Sequence, residues 1–410
     1  CAGDQKKLFK VANSLTYQRQ DNPMPPSNTK EELVKGFNEF FIEKISLIRS
    51  NLDKIVVDPS YSDMHCTKPS QPPPQLASFH QASEKEISCM ISKSATKSCQ
   101  LDPIPTKLLK DCKDALVPTI TRIVNIMLSN SAMSNDLKVA MVTPILKKQS
   151  LERVFKSYRP VSNPAYISKI IEMVIATRLK EHIRANNLDD SHQSAYKQYH
   201  GTETVLLKVK NDILMAMDGQ KVALLILLDL SAAFDTIDHD ILLNRLESYI
   251  GLTGSALEWV AAYLKDRKQY VSVQGIDSEN VEIKCGVPQG SVLGPILFTI
   301  YLIPLREILQ QHGIDYEIYA DDNQLYIVFK PRFASSAVNK MEECIKDIRM
   351  WMIVNKLKFN DDKTEGMLIG TPQQLEKVNI QTVLVGDTRI ETSASARNLG
   401  VIFDNNLNMK

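Results

Sequence analysis

An α+β fold is what this sequence predicts, on three observations. Apolar residues recur at helical spacing over long stretches, among them 166–185 and 201–217. Val222 to Leu228 is a continuous apolar run rich in branched residues, the pattern of a strand buried on both faces. Tyr316 to Tyr319 and Gln324 to Phe329 are aromatic and β-branched on either side of a tight turn, which reads as a hairpin.

At 410 residues and 43% hydrophobic content, the chain can bury a large core divided into two or three lobes. A net charge of +1 and a pI near 7.7 give no global sign of nucleic-acid binding, so any such binding rests on local patches. The seven cysteines, at 1, 66, 89, 99, 112, 285 and 344, are scattered and form no CxxC pair. That pattern points to a reduced intracellular protein without a zinc knuckle or a disulfide frame. The seven histidines are dispersed, and none is assigned to a metal. No apolar run approaches the roughly 18 residues of a membrane span, and no signal-peptide pattern opens the chain. Starting at Cys1 and stopping at Lys410, shortly after a strand-like run, it is expected to be a fragment.

In order along the chain, residues 1 to about 30 are polar and carry Pro23, Pro25 and Pro26, so a poorly ordered lead-in is expected. From Glu31 to Leu52, Leu33, Phe37, Phe40, Phe41, Ile45 and Ile48 recur at helical spacing, which gives an amphipathic helix in need of a partner surface. Residues 53 to 80, with Pro69 and Pro72-Pro73-Pro74, read as an extended, flexible linker. Ser83 with Glu86 fits a capping box that starts a helix through about Ser94. Leu101 to Pro105 is a turn, and further helices run through Leu128. Val139 to Leu146 is strand-like, followed by a loop ending Tyr158-Arg159-Pro160.

Residues 138–180 carry nine basic side chains against Glu152 and Glu172 alone, a surplus of seven. A solvated face is the ordinary explanation of a charge run. Arginine before proline favours extended backbone, however, and projects its side chain from a fixed frame. Arg159 and the basic residues around it are therefore candidates for a triphosphate, through guanidinium forks and ammonium charges. Tyr166 to Ala185 and Gly201 to Met217 are the next helices.

Two readings compete for Tyr319-Ala320-Asp321-Asp322: an Asx turn at a hairpin tip, or a pair of carboxylates held together by a divalent cation. Asp229, at the end of the buried run Val222 to Leu228, tilts the choice, because a carboxylate there needs its charge neutralised. With the hairpin beside that strand, three carboxylates converge, as a two-metal displacement requires. Phe234, five residues after Asp229, is either a core ring at a strand–helix junction or a ring under an incoming sugar. In Gly286-Val287-Pro288-Gln289-Gly290-Ser291, following a hairpin of Tyr270–Val273 and Val281–Ile283, the glycines permit close backbone approach. Ser291 is placed to cap the apolar helix that runs to about Ile303. A simple Gly-Pro turn is the alternative.

These segments together resemble the reverse transcriptases of non-LTR (LINE-type) retrotransposons, near the jockey-like group. The matching residues are Leu228-Asp229-Leu230-Ser231-Ala232-Ala233-Phe234-Asp235, the Gly-Val-Pro-Gln-Gly-Ser run at 286–291 and Tyr-Ala-Asp-Asp at 319–322. Tyr158-Arg159-Pro160-Val161-Ser162, Asn355 to Ile369 with Lys363, and Asn398-Leu399-Gly400-Val401 are similar to flanking motifs of the same family. The resemblance implies a right-hand polymerase with helical/β fingers, an antiparallel-sheet palm flanked by helices, and a thumb largely missing. Its boundaries would be an N-terminal extension over 1–82, fingers over 83–220, palm over 221–395 with a fingers-side hairpin near 270–284, and the start of a primer grip over 396–410. It further implies that Asp229, Asp321, Asp322 and the Leu230 carbonyl hold two Mg²⁺ ions, with Mn²⁺ as a substitute. Arg159 and Lys147 would meet the triphosphate, Phe234 the sugar, and Gln289 and Gly290 nucleotide and template, while Lys363 is a candidate general acid for pyrophosphate. Its partners would be an RNA template, a DNA primer or target and dNTPs, in an element ribonucleoprotein of nucleus and cytoplasm.

Two rival functions stay open on sequence. One is an RNA-dependent RNA polymerase, against which Phe234 speaks, since a ribonucleotide needs room for its 2′-hydroxyl. The other is a truncated or decayed copy acting only as a nucleic-acid-binding module.

Overall fold

Helices laid against two larger β-sheets, one mixed and one antiparallel, organise the chain, of which the computed structural model describes residues 24–61, 69, 71–97, 99–386 and 388–407. Residues 1–23 of the expected lead-in, and residues 62–68 and 70 of the linker, lie outside the described residues. Among the described residues, no helix is long and apolar enough to cross a membrane.

The first sheet joins β1 (Val139–Leu146) to β2 (Tyr158–Pro164) antiparallel and to β4 (Arg267–Val273) parallel. Two short strands, β5 (Ile276–Asp277) and β6 (Val281–Ile283), complete it along β4. Helix α1 (Lys30–Asp53) lies over this sheet, and Phe37 meets the rings of Phe155 and Tyr158 edge-on at 4.9 and 5.1 Å. Thr29 caps α1 by accepting from the Glu32 N–H, so the lead-in ends before residue 30.

The second sheet has the order β7-β8-β3-β9, formed by Asp315–Tyr319, Asp322–Phe329, Val222–Leu228 and Glu365–Ile369, all antiparallel. β3 is its third strand, covered on both faces, which is why its sequence is unbroken apolar. Val222, Leu224, Ile226 and Leu228 face the main core. Ala223 and Leu225 face a second cluster with Val209, Ile213, Met367 and Phe403. Each face follows the two-residue period of a strand.

Helices α2 (Glu84–Lys93), α3 (Thr106–Asp111), α4 (Lys113–Ser129), α5 (Tyr166–Ala185) and α6 (Thr202–Asp218) occupy the stretch between α1 and β3, interleaved with β1 and β2. After β3 come α7 (His239–Ser248), α8 (Gly254–Leu264), α9 (Gly294–Leu302), α10 (Leu305–Gln311) and α11 (Ala334–Val354). The C-terminal part holds two hairpins, β10 (Thr382–Val385) with β11 (Thr388–Glu391) and β12 (Ser395–Asn398) with β13 (Val401–Asp404). Leu399 and Gly400 turn the second with positive φ, and Asn398 donates to the Gln324 side chain at 2.7 Å, tying the hairpin to β8.

Four expectations are corrected. The described part of the proline-rich linker is docked. Leu76 N–H donates to Gly251 O at 2.8 Å, and Phe79 is buried against Trp259. The proline-rich backbone is extended as expected, but the apolar side chains that follow find a groove and fix it. Gly251 allows this with φ +79, because a Cβ there would lie 2.2 Å from Pro74 O. Tyr158-Arg159-Pro160 opens strand β2 rather than closing a loop. Pro144 and Pro160 face each other beyond the last β1–β4 pair, Val142 with Val271, where a missing N–H interrupts no further ladder. β6 pairs with Arg267–Gln269 instead of Tyr270–Val273, whose end turns into β5. Finally, only half the capping box forms. Ser83 accepts from the Glu86 N–H, while the Glu86 carboxylate pairs with the buried Arg178.

Candidate active site

Strand pairing assembles the site. Tyr319 pairs with Asp322, so Ala320 and Asp321 form the hairpin tip and Asp322 opens β8. Ala320 takes φ +57, and its N–H is held by the Gln193 side chain at 3.2 Å. Asn323, to which sequence gave no role, donates its side-chain amide to the Asp321 carbonyl and steadies the turn. On the other side of β8, Leu228 pairs with Asn323, which puts Asp229 next to the aspartate turn.

The Asp229 carboxylate accepts from Lys363 at 2.9 Å and from Asn360 at 2.7 Å. Leu230 is buried and bridged to Phe359. The segment carrying Asn360 and Lys363 is itself fixed, because Asn360 N–H donates to Asp229 O and Ser231 N–H to Lys358 O.

Burial raises the Asp321 carboxyl, and Asp229 adds repulsion while Lys363 and Arg159 oppose it. Asp322 is pushed up to about 6 by desolvation, then by the charges of Asp321 and Asp229. Asp322 is exposed at the turn, so the repulsion from its two neighbours is the firmer of these causes. The three carboxyls thus feel one another, but among the described residues no three His, Cys, Asp or Glu side chains stand as a group ready to hold a metal ion. Asp229 pairs with Lys363. The donor set still fits a hard divalent cation, since every candidate ligand is oxygen and added positive charge would relieve the repulsion.

Cations stand opposite. Arg159, exposed on β2, is within electrostatic reach of Asp321. Lys147, just past β1, donates to Lys156 O at 2.7 Å. Partial burial, then the charges of Lys44, Lys363 and Arg159, hold its amine below the ordinary value. Lys44 comes from α1.

Phe234 is half-buried and stacked on Phe298 of α9 at 4.6 Å, so its ring is both packed and reachable. The 286–290 loop is knitted to the Phe234 turn. Val287 N–H donates to Phe234 O and Gly286 N–H to Ile237 O, and a Cβ at Gly286 would meet Asp235 backbone at 2.6 Å. The same loop crosses to the first sheet, where Ser162 N–H donates to Gln289 O at 2.8 Å. Gly290 is exposed with φ +124, and a Cβ there would be 2.3 Å from Ser162 O. Ser291 accepts from Gly294 N–H, but the expected cap is corrected: Leu293 is the N-cap residue of α9, and no side chain caps the helix there.

Sequence reasoning missed Glu172. Fully buried on α5, it accepts from Val292 and Leu293 N–H at 2.6 and 3.1 Å and so holds the end of the glycine loop from below. Burial raises its carboxyl, against the opposing charge of Arg267. The one available signal was a carboxylate inside the otherwise apolar run Ile170 to Ala176. Asn360 was also missed, and nothing in its composition marked it.

Residues 145–403 match the family described as reverse transcriptase (RNA-dependent DNA polymerase). A probable RNA-directed DNA polymerase from transposon BS of Drosophila melanogaster is 27% identical over 334 residues, covering 79% of this chain and 36% of that protein. Its counterpart from transposon X-element of the same fly is 25% identical, covering 78% and 34%. The RNA-directed DNA polymerase from mobile element jockey of Drosophila melanogaster is 26% identical, covering 68% and 31%. The chain spans about a third of the length of these relatives.

Proposed function

The chain belongs to the reverse transcriptase (RNA-dependent DNA polymerase) family, and from that premise we propose that it extends a primer 3′-hydroxyl with dNTPs on an RNA template, for a non-LTR, jockey-like retrotransposon. The observation that carries the reading is the meeting of Asp229, at the end of a buried strand, with Asp321 and Asp322 on the adjoining hairpin. Residues 83–220 act as fingers, 221–395 as palm and 396–410 as the start of a primer grip, with 1–82 as an extension. The element ribonucleoprotein works in nucleus and cytoplasm.

Asp229, Asp321, Asp322 and the Leu230 carbonyl are the groups that would hold divalent cations, Mg²⁺ by preference and Mn²⁺ as a substitute. Such ions supply positive charge to the phosphates and lower the pKa of the primer hydroxyl. The rest of the catalytic work is positioning and charge. Arg159 offers a guanidinium fork to the triphosphate, and Lys147 adds an ammonium charge. Gln289 and Gly290 present a loop edge to nucleotide and template, and the Gly290 backbone leaves room where a side chain would not fit. Phe234 closes the space a 2′-hydroxyl would need. Lys363 starts on Asp229. From there its ammonium would be the group to give a proton to departing pyrophosphate.

Primer extension on an RNA template with Mg²⁺, comparing wild type with Asp321→Asn, is the test. The reading requires extension by the wild type and its loss, by at least about a hundredfold, in the variant. Extension that survives Asp321→Asn refutes the metal-site assignment. A wild type that shifts primer–template in a gel but never extends it favours a nucleic-acid-binding module.

A further inference from the structure

Helix α1 lies outside the family match at 145–403, yet it reaches the turn that follows Asp229. Ile48 and Leu52 pack in one cluster with Ile353, Met350 and Ala232. Ala232 belongs to that turn and takes φ +53. Between these contacts Arg49 extends one guanidinium to two acceptors. Nη1 donates to the Thr236 carbonyl at 3.2 Å and Nη2 to Asp238 Oδ2 at 2.6 Å. The pair is mostly enclosed, with the two side chains 23% and 21% exposed.

Both acceptors matter for the nucleotide side of the site. Asp238 caps α7 through Oδ1, which accepts from Asp240 and Ile241 N–H. Thr236 and Asp238 flank Ile237, whose carbonyl holds Gly286, and three residues before Ile237 the Phe234 carbonyl holds Val287. His239 adds a bond to Gly286 O at 2.8 Å. The turn that carries the aromatic ring and the glycine loop are therefore tied together by backbone hydrogen bonds, and Arg49 fastens that turn to α1. A planar fork can satisfy a carbonyl and a carboxylate at once, whereas an ammonium on a flexible stem cannot fix both directions.

Building on the polymerase reading, we propose that Arg49 is a positioning residue of the nucleotide site, which sets the placement of Phe234 and of the 286–289 loop from outside the polymerase core. It touches no substrate. Its effect falls on which sugar is accepted rather than on chemistry alone, because the ring it steadies faces the sugar.

The test compares dNTP with rNTP incorporation, as ratios of kcat/KM, for wild type, Arg49→Ala, Arg49→Lys and Phe234→Val. Glu39→Ala, on the exposed face of the same helix, is the control. Arg49→Ala is expected to lower the preference for dNTP on the order of tenfold, toward the value of Phe234→Val, with Arg49→Lys between it and wild type. Glu39→Ala keeps the wild-type ratio. A melting transition confirms that each variant is folded, and if alanine abolishes it the lysine variant carries the comparison. An unchanged ratio in a folded, extending Arg49 variant overturns the inference, even if both nucleotides slow equally, since that is what a merely structural contact would give. If the wild type itself fails to extend primers, the polymerase reading falls and this inference with it.

Discussion

Asp235 is the residue whose chemistry is least expected from its neighbours. It lines a cleft of about 870 Å³ with Lys44, Arg49 and the 286–289 backbone, and this cleft does not include Asp229, Asp321 or Asp322. Desolvation pushes its carboxyl up to about 6, with only Lys44 opposing, although the side chain is half-buried at the cleft wall. A folded-state value above the unfolded 3.8 means that the protonated form is favoured by folding. The associated stability is fully present below the unfolded value and is lost as pH rises through about 6. Asp235→Asn removes that loss, so its thermal midpoint should exceed wild type at pH 8 and converge with it at pH 4. An offset of the same size at both pH values would show that the carboxyl's charge is not the cause. Asp229, Arg159, Phe234 and the aspartate pair were legible by residue type and order, whereas Asp235 was visible only as part of a motif. Its unusual state depends on what surrounds it, and composition carries no trace of that.

Elements were read with more success than their contacts. Val139–Leu146, Tyr166–Ala185 and Val222–Leu228 begin and end where periodicity and branching put them. Where the chain departs from expectation, a partner from elsewhere decided. β2 extends through Arg159 because β1 pairs with it, and the linker docks because α8 and Gly251 receive it. The clearest case is the junction of α5 and α9, held by Glu172. Glu172→Ala leaves two backbone N–H groups without their acceptor and removes the negative charge near Arg267. The expected loss is about 2–4 kcal/mol in urea unfolding, with Glu172→Gln milder because its amide oxygen still accepts. A change below about 0.5 kcal/mol for the alanine variant would mean that the loop end is held by something else.

On the scale of the whole molecule, the N-terminal segment is part of the structure rather than an appendage. Leu33, Val34, Phe37 and Phe41 cover the first sheet, and Phe79 closes over Trp259. Removing residues 1–82 should lower the thermal midpoint by more than about 10 °C, since several buried apolar side chains lose their partners at once. An unchanged midpoint in differential scanning calorimetry would contradict that docking. By itself the sequence determined the fold class, most element positions and the aspartates of the candidate site, because these follow from local periodicity and from side-chain types in a fixed order. Only the tertiary structure decided that α1 reaches the nucleotide side through Arg49, that Glu172 sits beneath the glycine loop and that Asp229 turns to Lys363. Those contacts join residues 120 or more positions apart, where neither spacing nor propensity records a pairing and only packing brings the partners together.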